Sequence, residues 1–188
     1  MEHQILERET ICKGKAFSMG SYRIQLPNGQ ERRYDIALHG PAVVVVPVTD
    51  DGKILFVRQY RIGAEKPLLE IPAGVINEGE DPDPAAEREL REETGYESGN
   101  MLRLGGFYMA AGYTTEYLHI YLARDLKWNP LPQDDDEFLT PVSLTIAEAY
   151  RMAEDSAFED SKTFAALMMA QKYIRNSRQK SVDSSQNE

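Results

Sequence analysis

Residues 74–96, GVINEGEDPDPAAERELREETGY, constrain this chain more than any other stretch. Asp81 or Asp83 can cap a helix, the prolines that follow suit its first turn, and Gly95 is a natural stop. Ala85, Ala86, Leu90 and the charged residues around them are good helix formers. Glu89 and Glu93 are four apart and Glu92 follows Glu89 by three, so the three carboxylates share one sector of that helix. Ala85 falls in the same sector and leaves room beside them. Ala86 and Leu90 lie on an adjacent stripe that faces a core. Arg88, four residues before Glu92, can hold that carboxylate while the others stay free.

Three carboxylates on one face repel one another, and a stable fold avoids that crowding unless something offsets it. A water-solvated acidic helix is the plain alternative. A hard divalent cation is the sharper one, because Mg²⁺ takes oxygen ligands from a few carboxylates and from substrate phosphates. The glycine loop leading into the helix and the full spacing favour the cation. Written as spacing, the stretch is Gly74, five residues, Glu80, seven residues, then Arg88-Glu89-Leu90-Arg91-Glu92-Glu93-Thr94-Gly95-Tyr96. It resembles the Nudix box, G-x5-E-x7-R-E-U-x-E-E-x-G-U with U a bulky apolar residue, and matches every fixed position, Tyr96 filling the last U.

The resemblance implies an α/β fold, a Nudix-type α/β/α sandwich with a mixed β-sheet and an N-terminal β extension. It implies a pyrophosphohydrolase acting on a nucleoside diphosphate linked to another moiety, with Mg²⁺ as the ion and Mn²⁺ as its substitute. By position in the box, Glu89 and Glu93 would be the main metal ligands. Glu92 would be a weaker or second-metal ligand, and the Ala73 carbonyl a further one. Arg88 would orient the carboxylates and Glu80 would brace the loop.

Composition sets the outer limits. At 188 residues, with 41% apolar and 28% charged residues, the chain suits one soluble globular domain. No run approaches the roughly 18 apolar residues of a membrane span, and MEHQILERETICKGK lacks a signal-type apolar core. A cytoplasmic location is the expectation. A net charge of −10 disfavours long nucleic acid, yet a cation and a few arginines can reverse the local field for a small anion. Cys12 is alone, which excludes an internal disulfide, and is read as a small packing residue.

Along the chain, residues 5–38 read as β structure, with Asn28-Gly29 as a hairpin turn. Strands are expected over 43–48, 54–60, 68–71, 103–110, 116–123 and 138–143, and helices over 145–155 and 161–175. In the later helix Phe164, Leu167, Met168 and Ile174 fall at helical spacing and read as core. The domain organisation expected is an N-terminal β segment over 1–38, the hydrolase domain over 39–176, and a polar, disordered tail over 177–188.

Outside the box the chain resembles the ADP-ribose pyrophosphatase branch of the family. There an N-terminal β segment reaches across a homodimer, with exchanged strands, and helps to bind the base; Phe17, Tyr22 and Arg23 are the residues to test. Arg58 and Arg61, in VRQYRIG, would contact substrate phosphate or base, as the planar guanidinium suits. Glu70, in LLEIPAG, is either a substrate contact or a structural acid. The branch carries Ser-Pro-Gly, an aromatic and then a glutamate in the loop that here reads Ala110-Ala111-Gly112-Tyr113-Thr114-Thr115-Glu116. Gly112, Tyr113 and Glu116 fit, but Ala111 stands where the proline belongs. That departure points from strict ADP-ribose cleavage towards a broader range of nucleoside diphosphate sugars. The branch also places a carboxylate opposite the box helix from an acidic loop; in QDDDEF, Glu137 aligns with it and Asp135 is next, as general base or extra ligand.

Other readings remain at this stage. The nearest enzyme alternative cleaves nucleoside triphosphates, dinucleoside polyphosphates or RNA 5′ ends. The alternative from another class is a non-catalytic nucleotide-sensing or RNA-binding module. Such modules usually lose box glutamates, whereas Glu89, Glu92 and Glu93 are all present.

Overall fold

The computed structural model describes residues 2–133 and 138–185. In order the elements are β1 (Gln4–Lys13), β2 (Ser18–Gln25), β3 (Glu31–Leu38), β4 (Ala42–Pro47) and β5 (Lys53–Arg61). A 3₁₀ turn (Ile62–Ala64), β6 (Lys66–Glu70), β7 (Ala73–Val75) and helix α1 (Pro82–Thr94) follow. Then come β8 (Tyr96–Tyr108), β9 (Tyr117–Trp128), β10 (Thr140–Thr145), α2 (Ile146–Glu154) and α3 (Ser161–Ser185). Hydrogen bonding joins the strands as β1-β2-β3, β10-β5-β6 and β7-β4-β9-β8. The chain is α/β, as expected.

Two compact units result: one from the chain before Val43 with Gly106–Leu118, the other from Val43–Gly105 with the chain from His119 on. In the first, β1, β2 and β3 form an antiparallel meander. Its second turn is set by Gly29 at φ 83°, with Leu26 N donating to Gln30 O at 2.8 Å. Only a residue without Cβ enters that backbone region freely, so Asn28-Gly29 acts as the sequence pattern predicts. The end of β3 is tied to the loop at Tyr113–Thr115: Ala37 N donates to Tyr113 O at 2.7 Å and Thr115 N to Ala37 O at 3.0 Å. All ten residues of β1 are exposed, Cys12 among them, so the packing role read for that cysteine is corrected.

In the second unit the β-branched run of β4 is wholly buried, as a strand covered on both faces must be. Side chains alternate across the strand. Val43 and Val45, with Tyr121 and Ala123 of β9, form one core cluster with Ile76 and with Ala85, Ala86 and Leu90 of α1. On α3, the Tyr173 carbonyl receives Arg124 Nη2 at 2.8 Å, one residue past Ala123 and so from the opposite side of β9. The sheet therefore lies between α1 and α3. Tyr150 of α2 donates to the Leu167 carbonyl at 2.9 Å, and burial pushes its phenol up to about 12.

Several local expectations are corrected. Asp81 is the N-cap of α1 but makes no side-chain capping bond, and Asp83 instead accepts the Tyr121 hydroxyl at 2.6 Å. Ala85 does not leave space beside the carboxylates; it is fully buried, and its small side chain lets the helix approach the sheet closely. On α3 the inward stripe is Thr163, Ala166, Leu167, Ala170 and Ile174, whereas Phe164 and Met168 are exposed. Close packing selects small residues there, which a reading weighted by hydrophobic bulk passes over. Strand β8 begins at Tyr96, directly after Gly95, well before the expected start. Its polar residues Glu97–Asn100 are tolerated because β8 is the end strand of its sheet.

Leu90 touches the cluster from the same helix that carries the carboxylates, so it measures how much of the fold rests on that contact. Leu90→Ala is expected to lower stability by about 2–5 kcal/mol, whereas Leu102→Ala, on β8 with 39% exposure, should stay within about 0.5–1 kcal/mol. Urea unfolding midpoints of the two variants check this.

Candidate active site

Helix α1 presents its acidic sector to the turn between β6 and β7. Glu89 and Glu93 are buried there, 7% and 2% exposed, an uncommon state for carboxylates that are not strongly partnered. Ala73 N donates to Glu93 Oε2 at 3.3 Å. A Cβ on Gly74 would stand 2.0 Å from the Glu89 carboxyl carbon, so only glycine lets that carboxylate lie against the loop. This is the physical reason for the first glycine of the motif.

Arg88 organises the rest. Its Nε and Nη2 take both oxygens of Glu80 at 3.0 and 2.9 Å, and Nη2 also donates to the Val75 carbonyl at 3.1 Å. Its Nη1 donates to Glu89 Oε1 at 2.6 Å and to Glu92 Oε2 at 2.9 Å. One guanidinium thus holds three carboxylates, where spacing alone had given it Glu92. The hydrogen bonds to Glu80 raise the Arg88 pKa further above its already high ordinary value. The same bonds hold the Glu80 carboxyl below the usual range, and Glu80 Oε2 also receives Asn77 N at 2.9 Å. The expected bracing of the loop by Glu80 has this geometry.

The donor set suits a hard divalent cation: Glu89, Glu92, Glu93 and the Ala73 carbonyl offer oxygen only. Among the described residues no three His, Cys, Asp or Glu side chains already close round one point. A cation of the Mg²⁺ type does not need such a cage, since it keeps several waters and takes phosphate oxygens. Arg88 bonds Glu80, Glu89 and Glu92, and the charge of Arg61 also acts on Glu93.

The other residues singled out in sequence fall in three places. Arg61 and Glu70 lie in the second unit with the carboxylate helix. Arg61 is bound to Glu70 through Nε at 2.7 Å and Nη2 at 2.6 Å, and Lys162 of α3 also bonds Glu70. Burial pushes the Glu70 carboxyl up, but the hydrogen bonds from Arg61 and the charge of Lys162 outweigh it and leave the group below its ordinary value. Glu70, 1% exposed, is held between Arg61 and Lys162. Arg58 is exposed on β5, opposite Leu69 of β6 and Thr140 of β10.

Phe17, Tyr22, Arg23 and Glu116 belong to the first unit. Phe17 is exposed, Arg8 lies over the Tyr22 ring at 5.4 Å, and Arg23 pairs with Glu7 at 3.1 Å and Glu31 at 2.8 Å. Glu116 lies 3.9 Å from His39. Asp135 and Glu137 lie outside the described residues.

Sequence reasoning missed the α3 residues that meet the turn between β6 and β7. Thr163, fully buried, accepts the Ile71 N–H at 2.9 Å across 92 positions of sequence. The only local signal was Asp160 three residues before Thr163, a helix-start spacing.

Comparison with known proteins agrees with this geometry. A sequence profile described as NUDIX domain matches residues 38–167. The chain is 35% identical over 173 residues to an ADP-ribose pyrophosphatase of Bacillus subtilis (strain 168), covering 91% of this chain and 94% of that one. It is 39% identical over 172 residues to a methanol dehydrogenase activator of Bacillus methanolicus, covering 90% and 93%. It is 31% identical over 173 residues to the ADP compounds hydrolase NudE of Escherichia coli (strain K12), covering 91% and 92%. A crystal structure of an ADP compounds hydrolase superposes with a TM-score of 0.83 at 29% identity, covering 94% of this chain and 96% of that one. With its buried carboxylate pair, its guanidinium clasp and this breadth of likeness, the chain belongs to the NUDIX domain family.

Proposed function

We propose that this chain hydrolyses the pyrophosphate bond of nucleoside diphosphate sugars, ADP-ribose and GDP-mannose among them, to a nucleoside monophosphate and a sugar phosphate. The observation that carries the reading is the complete carboxylate set of α1, folded against the Ala73–Gly74 turn and gripped by Arg88. The substrate class follows from relatives named for ADP-ribose, ADP compounds and GDP-mannose, the last group including a GDP-mannose pyrophosphatase of Pectobacterium atrosepticum at 34% identity. Ala111, in place of the branch proline, supports breadth over strict ADP-ribose cleavage.

Glu89 and Glu93 would hold a divalent ion, Mg²⁺ by preference and Mn²⁺ as its substitute, with Glu92 and the Ala73 carbonyl completing the protein's share. Such an ion supplies charge neutralisation at the bridging and leaving oxygens of the pyrophosphate. The chain's own work is positioning. Arg88 fixes the carboxylates of Glu89 and Glu92, and Glu80 fixes Arg88 in turn. Arg58 and Arg61 are proposed to meet substrate phosphate or base, and Glu70 to bear on the substrate through Arg61. Phe17, Tyr22, Arg23 and Glu116 are proposed to meet the base and sugar. Glu137, or Asp135 beside it, is proposed to take the proton from the attacking water.

The N-terminal β segment through residue 38 is proposed to pair with a second copy, the two chains exchanging strands. Its support is the fully exposed β1, which presents Ile5 and Ile11 to solvent. A cytoplasmic setting is proposed; among the described residues no helix is long and apolar enough to cross a membrane.

Phosphate-product analysis with Mg²⁺, offering ADP-ribose, GDP-mannose, UDP-glucose and ATP side by side, tests the substrate class. Turnover of several diphosphate sugars is expected, reduced at least about 100-fold in Glu93→Gln; cleavage of ATP alone would refute the reading. Gly74→Ala should lower kcat by on the order of 10–100-fold while the urea midpoint changes little, because the new methyl displaces the Glu89 carboxylate rather than a core contact. Removal of the N-terminal strand should halve the molar mass seen by light scattering.

A further inference from the structure

The turn from Glu70 to Gly74 carries the groups on which Glu89 and Glu93 rest, and its own polar atoms are held from outside. Val45 N donates to the Pro72 carbonyl at 2.9 Å. Ile71 N donates to Thr163 Oγ1 at 2.9 Å. The Glu70 carboxylate lies between Arg61 and Lys162. The last two anchors on the α3 side come from a single helical turn, and that turn is itself tied down. Asp160 Oδ2 accepts Thr163 N at 2.9 Å and Thr163 Oγ1 at 2.6 Å, and Asp160 Oδ1 pairs with Lys162 at 2.9 Å.

Thr163 is the informative residue. It heads a buried stripe that is otherwise apolar: Ala166, Leu167, Ala170 and Ile174. Valine would fill the same volume there, and burying a hydroxyl is costly unless it is bonded. Here the hydroxyl donates to Asp160 and accepts from Ile71, two residues before Ala73. It thereby fixes the backbone that donates to Glu93 at 3.3 Å and that passes Glu89 at Gly74.

We infer that the first turn of α3, Asp160 to Thr163, is a positioning element for the metal-binding carboxylates, acting through the Ile71 N–H and the Glu70 carboxylate. This rests on the reading of Glu89 and Glu93 as metal ligands. Thr163 touches neither metal nor substrate. It sets where the Ala73–Gly74 backbone stands against α1, and outer-shell partners of this kind tune metal affinity by on the order of 10–100-fold.

The test is direct binding of Mn²⁺ to the full chain without substrate, read by the EPR signal of the free ion. Thr163→Val should weaken binding about tenfold or more, and Thr163→Ser, which keeps the hydroxyl, should bind as the wild-type chain does. Leu167→Ala, buried on the same helix, serves as the control: it should lower the urea midpoint and leave Mn²⁺ affinity unchanged. Wild-type affinity in Thr163→Val would overturn the positioning role, as would an equal loss in Leu167→Ala. Failure of the wild-type chain to bind Mn²⁺ at all would overturn the metal site beneath it, and the positioning role with it.

Discussion

The guanidinium of Arg88 is the interaction on which the site depends. Carboxylates packed side by side on one helix face repel, and burial strengthens that repulsion because water no longer screens it. Arg88 answers with a planar fork that reaches forward along the helix to Glu92, sideways to Glu89, and back across the loop to Glu80 and the Val75 carbonyl. A lysine, as a single point of charge, could not span those positions. The consequence is that the chain's own guanidinium ties the acidic face of the helix to the loop before it.

Around this clasp the architecture divides its labour by element. The β4 run and the α1 stripe of Ala85, Ala86 and Leu90 supply apolar burial. That burial brings the carboxylate face against the β6–β7 turn, where glycine at 74 supplies the close approach. The opposite layer, α3, contributes apolar area from Ala166 to Ile174 but polar bonds at its first turn. The turn that receives the carboxylate face is therefore bonded both to α1 and to the first turn of α3.

Much of this was legible in the sequence because the chemistry is local. The carboxylate sector, the glycine stop at 95 and the hairpin at Asn28-Gly29 all depend on residues within a few positions of one another. What was not legible depends on distance in sequence or on closeness of packing. Nothing near Arg88 in the chain announces that Glu80 will curl back to meet both of its arms. Ala85 has the phase of an acidic-face residue, yet the helix sits so close to the sheet that this face is buried too. The pairing of Thr163 with Ile71, and of Lys162 with Glu70, joins segments that no periodicity relates. The inward stripe of α3 was misread for a related reason, since alanines do the packing where the helix lies closest.

The two glycine turns differ in what surrounds them. At Gly95, φ 80°, a side-chain carbon would meet the Trp128 ring at 2.4 Å, and β8 begins on the next residue. At Gly29, φ 83°, nothing lies within 4 Å. The chain can therefore be lengthened at one turn and not at the other. A peptide tag or a fluorophore-bearing insert between Asn28 and Gly29 would hang in solvent without touching the core. A residue added at Gly95 would meet the Trp128 ring and break the direct passage from α1 into β8. Of these two turns, the one at Gly29 has room for added length and the one at Gly95 does not.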